Sequence, residues 1–125
     1  MTFQATSIRT FIGAKDFKLS REFYQVIGFD EVTISEDMVL FKVNELVSFY
    51  LQEYYVKEWA DNSMIFLEVN NLDECYAHLQ SLNLPDRFPG VRLSVIKTED
   101  WGRECFLHDP SGVLWHIGTF EELSE

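Results

Sequence analysis

An internal repeat restricts this chain more than any other feature. Asp16 and Asn71 stand 55 residues apart, and each follows a strand-like run and opens an amphipathic helix. The same offset aligns Ile12 with Leu67, Phe17 with Leu72 and Gly28 with Asn83. Three strand-like runs follow each helix, at offsets that grow to 63 and then 67, as longer turns in the second copy would produce. Strand, helix and three strands, twice over, is not a stacked solenoid. Few identities connect the two copies, so the repeat rests on element order and cap positions.

In the first copy, residues 7–13 (SIRTFIG) read as a strand. Asp16 offers a helix N-cap, since its side-chain oxygen can accept an amide of the first turn. Phe17, Ser20, Phe23, Tyr24 and Ile27 then recur on one helical face. Gly28 ends the helix where a left-handed conformation costs glycine little. Strands are expected near 30–34, 38–43 and 46–52. In the second copy the strand is 63–69, and Asn71 with Glu74 approximates a capping box. Leu72, Cys75, Leu79 and Leu82 form the apolar helix face, and Asn83 takes the role of Gly28. After the loop LPDRFPG come strands near 91–97, 103–108 and 113–119, with Asp109-Pro110-Ser111-Gly112 as a hairpin turn. The expected organisation is one domain over 1–125: module one at about 5–53, a linker at about 54–62, module two at about 63–120.

At 46% hydrophobic and 15% aromatic, 125 residues can build a core without disulfide or metal staples. The opening MTFQATSIRT has no signal-peptide pattern, and no apolar run approaches the roughly 18 residues of a membrane helix. Cys75 and Cys105 fit no metal or redox spacing and read as buried, reduced thiols. A cytoplasmic address is expected. The net charge of −11 repels nucleic-acid phosphates and anionic lipid, so neither is an expected partner. That charge either serves solubility alone or favours a cationic ligand.

IRTFIGAKDFKLSREFYQVIGF is similar to the opening of the glyoxalase/bleomycin-resistance/dioxygenase (vicinal oxygen chelate) superfamily: strand, Asp, a helix containing Phe-Tyr, then Gly-Phe. WGRECFLHDPSGVLWHI is similar to that superfamily's closing hairpin, Trp-Gly followed by Asp-Pro-x-Gly and a last strand. The resemblance implies an α+β fold of two βαβββ modules, forming a concave mixed sheet around a cleft with the helices outside.

Metal enzymes of that superfamily place up to four ligands on the concave surface, one pair per module. The resemblance carries these positions to Arg9, Phe49, Met64 and His116. Arg offers no lone pair, Phe has no donor atom and Met is a poor ligand for hard ions. No metal and no cofactor are therefore expected. The chain then looks most like the metal-free bleomycin-resistance-type binders, which sequester a bulky cationic drug in grooves between two subunits. Trp101 matches their late tryptophan, whereas Met38 stands where that group commonly has an aromatic residue.

The ligand-binding residues assigned on this reading are Arg9, Met38, Phe49, Met64, Trp101, Arg103 and His116. Each has a plainer alternative. Trp101 either caps the core or offers a flat surface to a ligand. His116 is a hydrogen-bonded structural histidine, a ligand contact or a general base. Arg9 inside a concave sheet would need a carboxylate. Trp115 alternates against His116 and is expected in the core. Trp59 reads as a surface or interface anchor, Asp109 as a turn residue, and Tyr24 as a core residue with its hydroxyl at the rim.

The expected function is stoichiometric sequestration of a cationic or aromatic small molecule by a homodimer. One alternative is a metal-free lyase, isomerase or hydrolase with His116 as base and Arg9 as anion anchor. Another is a protein-interaction module.

Overall fold

Asp16 caps the first helix in the computed structural model, which describes residues 2–120: its Oδ1 accepts the Leu19 amide at 3.1 Å. Met1 and residues 121–125 of the expected domain lie outside the described residues. In chain order the elements are β1 (Phe11–Gly13), α1 (Phe17–Ile27), β2 (Asp30–Ser35), β3 (Met38–Lys42), β4 (Ser48–Gln52) and α2 (Lys57–Asn62). There follow β5 (Met64–Glu68), α3 (Leu72–Ser81), α4 (Leu84–Arg87), β6 (Arg92–Leu93), β7 (Lys97–Glu99), β8 (Gly102–His108) and β9 (Leu114–Phe120). The matching cap of α3 is Asn71, whose Oδ1 accepts the Glu74 amide at 3.0 Å. Gly28 (φ 117°) and Asn83 (φ 52°) both adopt the left-handed conformation that ends a helix, as their shared position in the repeat requires.

The strands form two mixed sheets, β1-β4-β3-β2 and β5-β9-β8-β6, with β7 also pairing β8. In each sheet the strand before the helix runs parallel to the last strand of its half, and the remaining pairs are antiparallel. The result is α+β with unclosed sheets and helices packed on one face of each. Among the described residues no helix is long and apolar enough to cross a membrane.

Five details depart from the sequence reading. The first strand is only Phe11–Gly13, because β4 offers parallel partners for those three residues and residues 2–9 find no strand beside them. Residues 57–62 of the expected linker form the helix α2, which buries only Ala60 and has Val56, which cannot cap, at its N-cap. The loop LPDRFPG contains the short helix α4, with Pro85 in the first turn, where its missing amide costs nothing. The expected strand 91–97 is broken into β6 and β7, with Ser94 bonding Phe106 through both backbone and hydroxyl. Its counterpart β2 has a register shift between Thr33 and Ser35, so the same edge is irregular in both halves.

The fifth departure concerns the repeat itself. Phe11 pairs with Tyr50 as Phe66 pairs with His116, and Leu40 pairs with Tyr50 as Phe106 pairs with His116. The last strands therefore superpose with Tyr50, not Phe49, on His116. A slip of one residue moves a strand residue to the other face of its sheet.

The core lies where the two halves meet. Tyr24 of α1 is fully buried, its ring 5.1 Å from Phe49, 5.5 Å from Phe41 and 5.9 Å from Trp115. Its hydroxyl is not at a rim. It donates to Asp109 Oδ2 at 2.7 Å and accepts from Trp115 Nε1 at 2.9 Å. Asp109 Oδ1 meanwhile accepts the amides of Ser111 and Val113, each at 2.9 Å, so the hairpin turn and the inter-half contact share one buried carboxylate. The Lys15 amide donates to Ser111 Oγ at 2.9 Å, and His78 Nε2 meets the Ile27 carbonyl at 2.8 Å.

Candidate functional site

Strand alternation gives each sheet one face toward the helices and one open face. In β4, Phe49 and Leu51 are buried while Ser48, Tyr50 and Gln52 stay partly exposed. In β9, Trp115 and Ile117 enter the core and His116 takes the open side. Cross-strand pairing with His116 and Gly118 then places Phe106 and Glu104 on the open side too. The exposed edges of the two sheets, β1 and β5, flank a seam with cavities of about 490 Å³ and about 470 Å³. Ile8, Arg9, Ser48 and Phe66 are among the residues lining the first. Phe11, Tyr54, Trp59 and Met64 are among those lining the second.

Five of the seven expected ligand-binding residues reach solvent on the open side or its border. Arg9 is exposed; its Nε donates to Ser48 Oγ at 2.9 Å and its Nη1 to Tyr50 Oη at 3.3 Å, with the guanidinium 5.8 Å from the Tyr50 ring. It needs no carboxylate, because the face is open and the charge keeps its water. Met64 is 65% exposed beside Phe11, and Met38 is half-buried at the end of β3. Trp101 and His116 complete the group.

The other two face the helices. Phe49 is 3% exposed and packs against Tyr24, Phe29, Phe41 and Trp115. It was assigned to the open face through the offset of 67, and the true register of 66 puts Tyr50 there instead. Arg103 lies one residue out of phase with Gly102 and Glu104, and its guanidinium forms a two-pronged pair with Asp73 of α3 at 2.9 and 3.0 Å. That pair holds the Asp73 carboxyl below its usual range, through the hydrogen bond first and charge second.

On the second sheet the open face is aromatic. Trp101, Phe66 and Phe120 form a triangle of ring contacts at 5.2–5.7 Å. Gly118 makes room for it: a Cβ at that position would lie 2.9 Å from Phe66 Cζ and 3.0 Å from the Arg103 carbonyl. Beside the triangle, His116 stacks 6.3 Å from Phe66 and meets the edge of Phe106 at 5.0 Å. Its Nδ1 bonds Glu104 Oε1 at 2.9 Å, and its Nε2 is buried without a hydrogen-bond partner among the described residues. A proton-transfer base must be reachable, and this nitrogen is not.

Sequence reasoning did not select Glu104, Phe66, Phe106, Phe120 or Trp59. Phe66 and Phe106 were within reach: both occupy the open-face phase of strands containing or flanking His116. Trp59 reads from the sequence only as a surface or interface anchor, since α2 has no apolar period to place it at the seam.

The side chains that meet at the site are poor metal donors. The corrected position set, Arg9, Tyr50, Met64 and His116, still supplies a single imidazole, and among the described residues no three His, Cys, Asp or Glu gather closely enough to hold an ion. Thiol chemistry is equally unsupported. Burial pushes the Cys105 thiol up to about 12 and raises Cys75 as well, so neither is a ready thiolate.

Neither a protein-family model nor a curated protein matches the chain. Solved structures do. A bleomycin-binding protein complexed with bleomycin is 22% identical, with a TM-score of 0.77 over 96% of this chain and 100% of that one. The bleomycin-binding protein from bleomycin-producing Streptomyces verticillus, complexed with copper(II)-bleomycin, is 18% identical, with a TM-score of 0.81 over 96% and 100%. A glyoxalase/bleomycin resistance protein/dioxygenase from Nocardioides is 17% identical, with a TM-score of 0.72 over 99% and 89%. The chain thus has the fold the sequence resemblance implied.

Proposed function

We propose that this protein binds a flat aromatic small molecule on its open sheet face, as a metal-free homodimer, and sequesters it without chemical change. The triangle of Trp101, Phe66 and Phe120 carries the reading. Three large rings held together on an uncovered sheet face, with a glycine beneath to seat them, offer stacking surface that the core does not use. The likeness in fold to proteins complexed with bleomycin supports a binding role of the same kind. The net charge of −11 favours a cationic ligand over an anionic one. A catalytic role for His116 finds less support, since Glu104 engages Nδ1 and Nε2 is covered.

Calorimetric titration with a flat aromatic cation, ethidium, and a flat aromatic anion, anilinonaphthalene sulfonate, tests the reading. Ethidium should bind more tightly, and Trp101→Ala should weaken it about tenfold, the scale of one lost aromatic contact. The cation preference should shrink in high salt, as the Debye length falls from about 10 Å at 0.1 M to about 3 Å at 1 M. Unchanged affinity in Trp101→Ala, or no binding of either dye, overturns the proposal.

A further inference from the structure

Trp59 and Tyr54 face solvent although the core makes no use of them. α2 buries only Ala60, yet it carries an indole 61% exposed, with its ring 5.7 Å from the Tyr54 ring, itself 53% exposed. The two rings wall a groove of about 410 Å³ whose remaining lining is Asp37, Met38, Gln52 and Glu53. Those six residues combine two aromatic faces with two carboxylates and include no lysine or arginine. The Asp37 carbonyl accepts the Glu53 amide at 2.8 Å, which fixes the two acidic residues beside each other at the ends of β3 and β4. Asp37 Oδ1 accepts the Ser35 hydroxyl at 2.8 Å. Among the described residues neither carboxylate forms an ion pair. Lys57, on the same helix as Trp59, is held by Asp61 at 2.5 Å.

We propose that this groove is a binding subsite for an organic ammonium group, quaternary or alkylated. Such a cation is drawn to the negative faces of aromatic rings, and carboxylates beside the rings add to that attraction. It also gives up water far more readily than a compact inorganic cation, so a half-apolar groove suits it. Met38 provides a polarizable floor that adapts to an alkylated head. An anion is repelled by the neighbouring carboxylates of Asp37 and Glu53. The subsite does not depend on the ligand assigned to the Trp101 triangle, since the two sites share no residue.

The test uses benzyltrimethylammonium, with benzyl alcohol as its neutral and benzenesulfonate as its anionic counterpart, followed by calorimetry and by the Trp59 indole N–H resonance. The whole chain should bind the cation saturably and about tenfold more tightly than the neutral probe, the scale of a favourable cation–aromatic contact supported by charge. Trp59→Ala and the double variant Asp37→Asn/Glu53→Gln should each weaken it about tenfold, whereas Trp101→Ala should not. All four side chains are exposed, so circular dichroism should show the fold intact in each variant. No saturable binding, equal affinity for the neutral probe, or undiminished binding in both groove variants overturns the subsite. Loss of binding in Trp101→Ala alone moves the cation to the aromatic triangle, which sinks this assignment and leaves the proposed function standing.

Discussion

Tyr24 of α1 donates its hydroxyl to Asp109 Oδ2 at 2.7 Å, although 85 residues separate them and each belongs to a different half. The same oxygen accepts Trp115 Nε1, and Asp109 is also the acceptor that shapes the last hairpin. Two repeats that could have folded as separate lobes are therefore joined through one buried polar network. Such networks specify a packing when every member is satisfied, and here each named group has its partner.

Tyr24→Phe removes one oxygen and leaves two buried groups, Asp109 Oδ2 and Trp115 Nε1, without that partner. Each unsatisfied group costs roughly 1–3 kcal/mol, so the variant should lose about 2–6 kcal/mol. Urea unfolding should show a lower midpoint with an unchanged slope. A loss under about 0.5 kcal/mol would mean the network contributes specificity but little stability.

The same tyrosine sets an alkaline limit. Burial first, then the charge and hydrogen bond of Asp109, holds its hydroxyl well above the ordinary tyrosine value. In the unfolded chain Tyr24 ionises near pH 10, while in the fold it keeps its proton. Its contribution to stability is thus fully present below pH of about 10 and falls above it, by up to about 1.4 kcal/mol per pH unit. Unfolding midpoints at about pH 9 and about pH 11 should drop more steeply for the native chain than for Tyr24→Phe. Parallel curves would show that other groups govern the alkaline decline.

What the sequence disclosed, and what it withheld, follows the range of the interactions involved. Asp16, Gly28 and Asn71 act within a helical turn of themselves and occupy the cap positions their spacing predicts. Asn83 takes its left-handed conformation one residue after the α3 C-cap, Leu82. The Tyr24–Asp109 bond depends on a fold-level meeting, so the tyrosine was legible as a core residue and its hydroxyl was misplaced. Phe49 shows the sensitivity of strands: an offset of 67 in place of 66 moved it from core to open face, where Tyr50 belongs. α2 was hidden because a helix with one buried residue and no capping side chain has neither of the signals by which helices are read.

Gly118→Ala tests the seating of the aromatic triangle. The added methyl would press on Phe66 Cζ at 2.9 Å, on the Arg103 carbonyl at 3.0 Å and on Glu104 Cβ at 3.2 Å. The Phe66 ring can swing away, but the carbonyl belongs to the paired strand β8 and cannot. The expected cost is about 1–3 kcal/mol, the range for overpacking. Trp101 emission should shift as Phe66 leaves its ring, and ethidium binding should weaken. A variant with native stability and native emission would show that β8 and β9 separate easily at this point and that the glycine is not what seats the ring.

Assembly gives the last prediction. Phe11 (57% exposed), Met64 and Phe66 line the seam between the sheets, and Phe120 extends the same open face. Val32, paired with Leu40 and therefore in phase with Tyr50, is partly uncovered on the free outer strand of the first sheet. Apolar side chains exposed together in this way are what an interface between two copies would cover, and a two-fold dimer is the commonest such assembly. Light scattering should give twice the 14.7 kDa of one chain across the micromolar range. Phe11→Asp combined with Met64→Lys should shift the mass to that of one chain while circular dichroism stays unchanged, since neither side chain contributes to the core. A single-chain mass for the native protein would remove the dimer, and with it any groove shared between subunits. Any ethidium bound would then rest on surface that one chain supplies by itself.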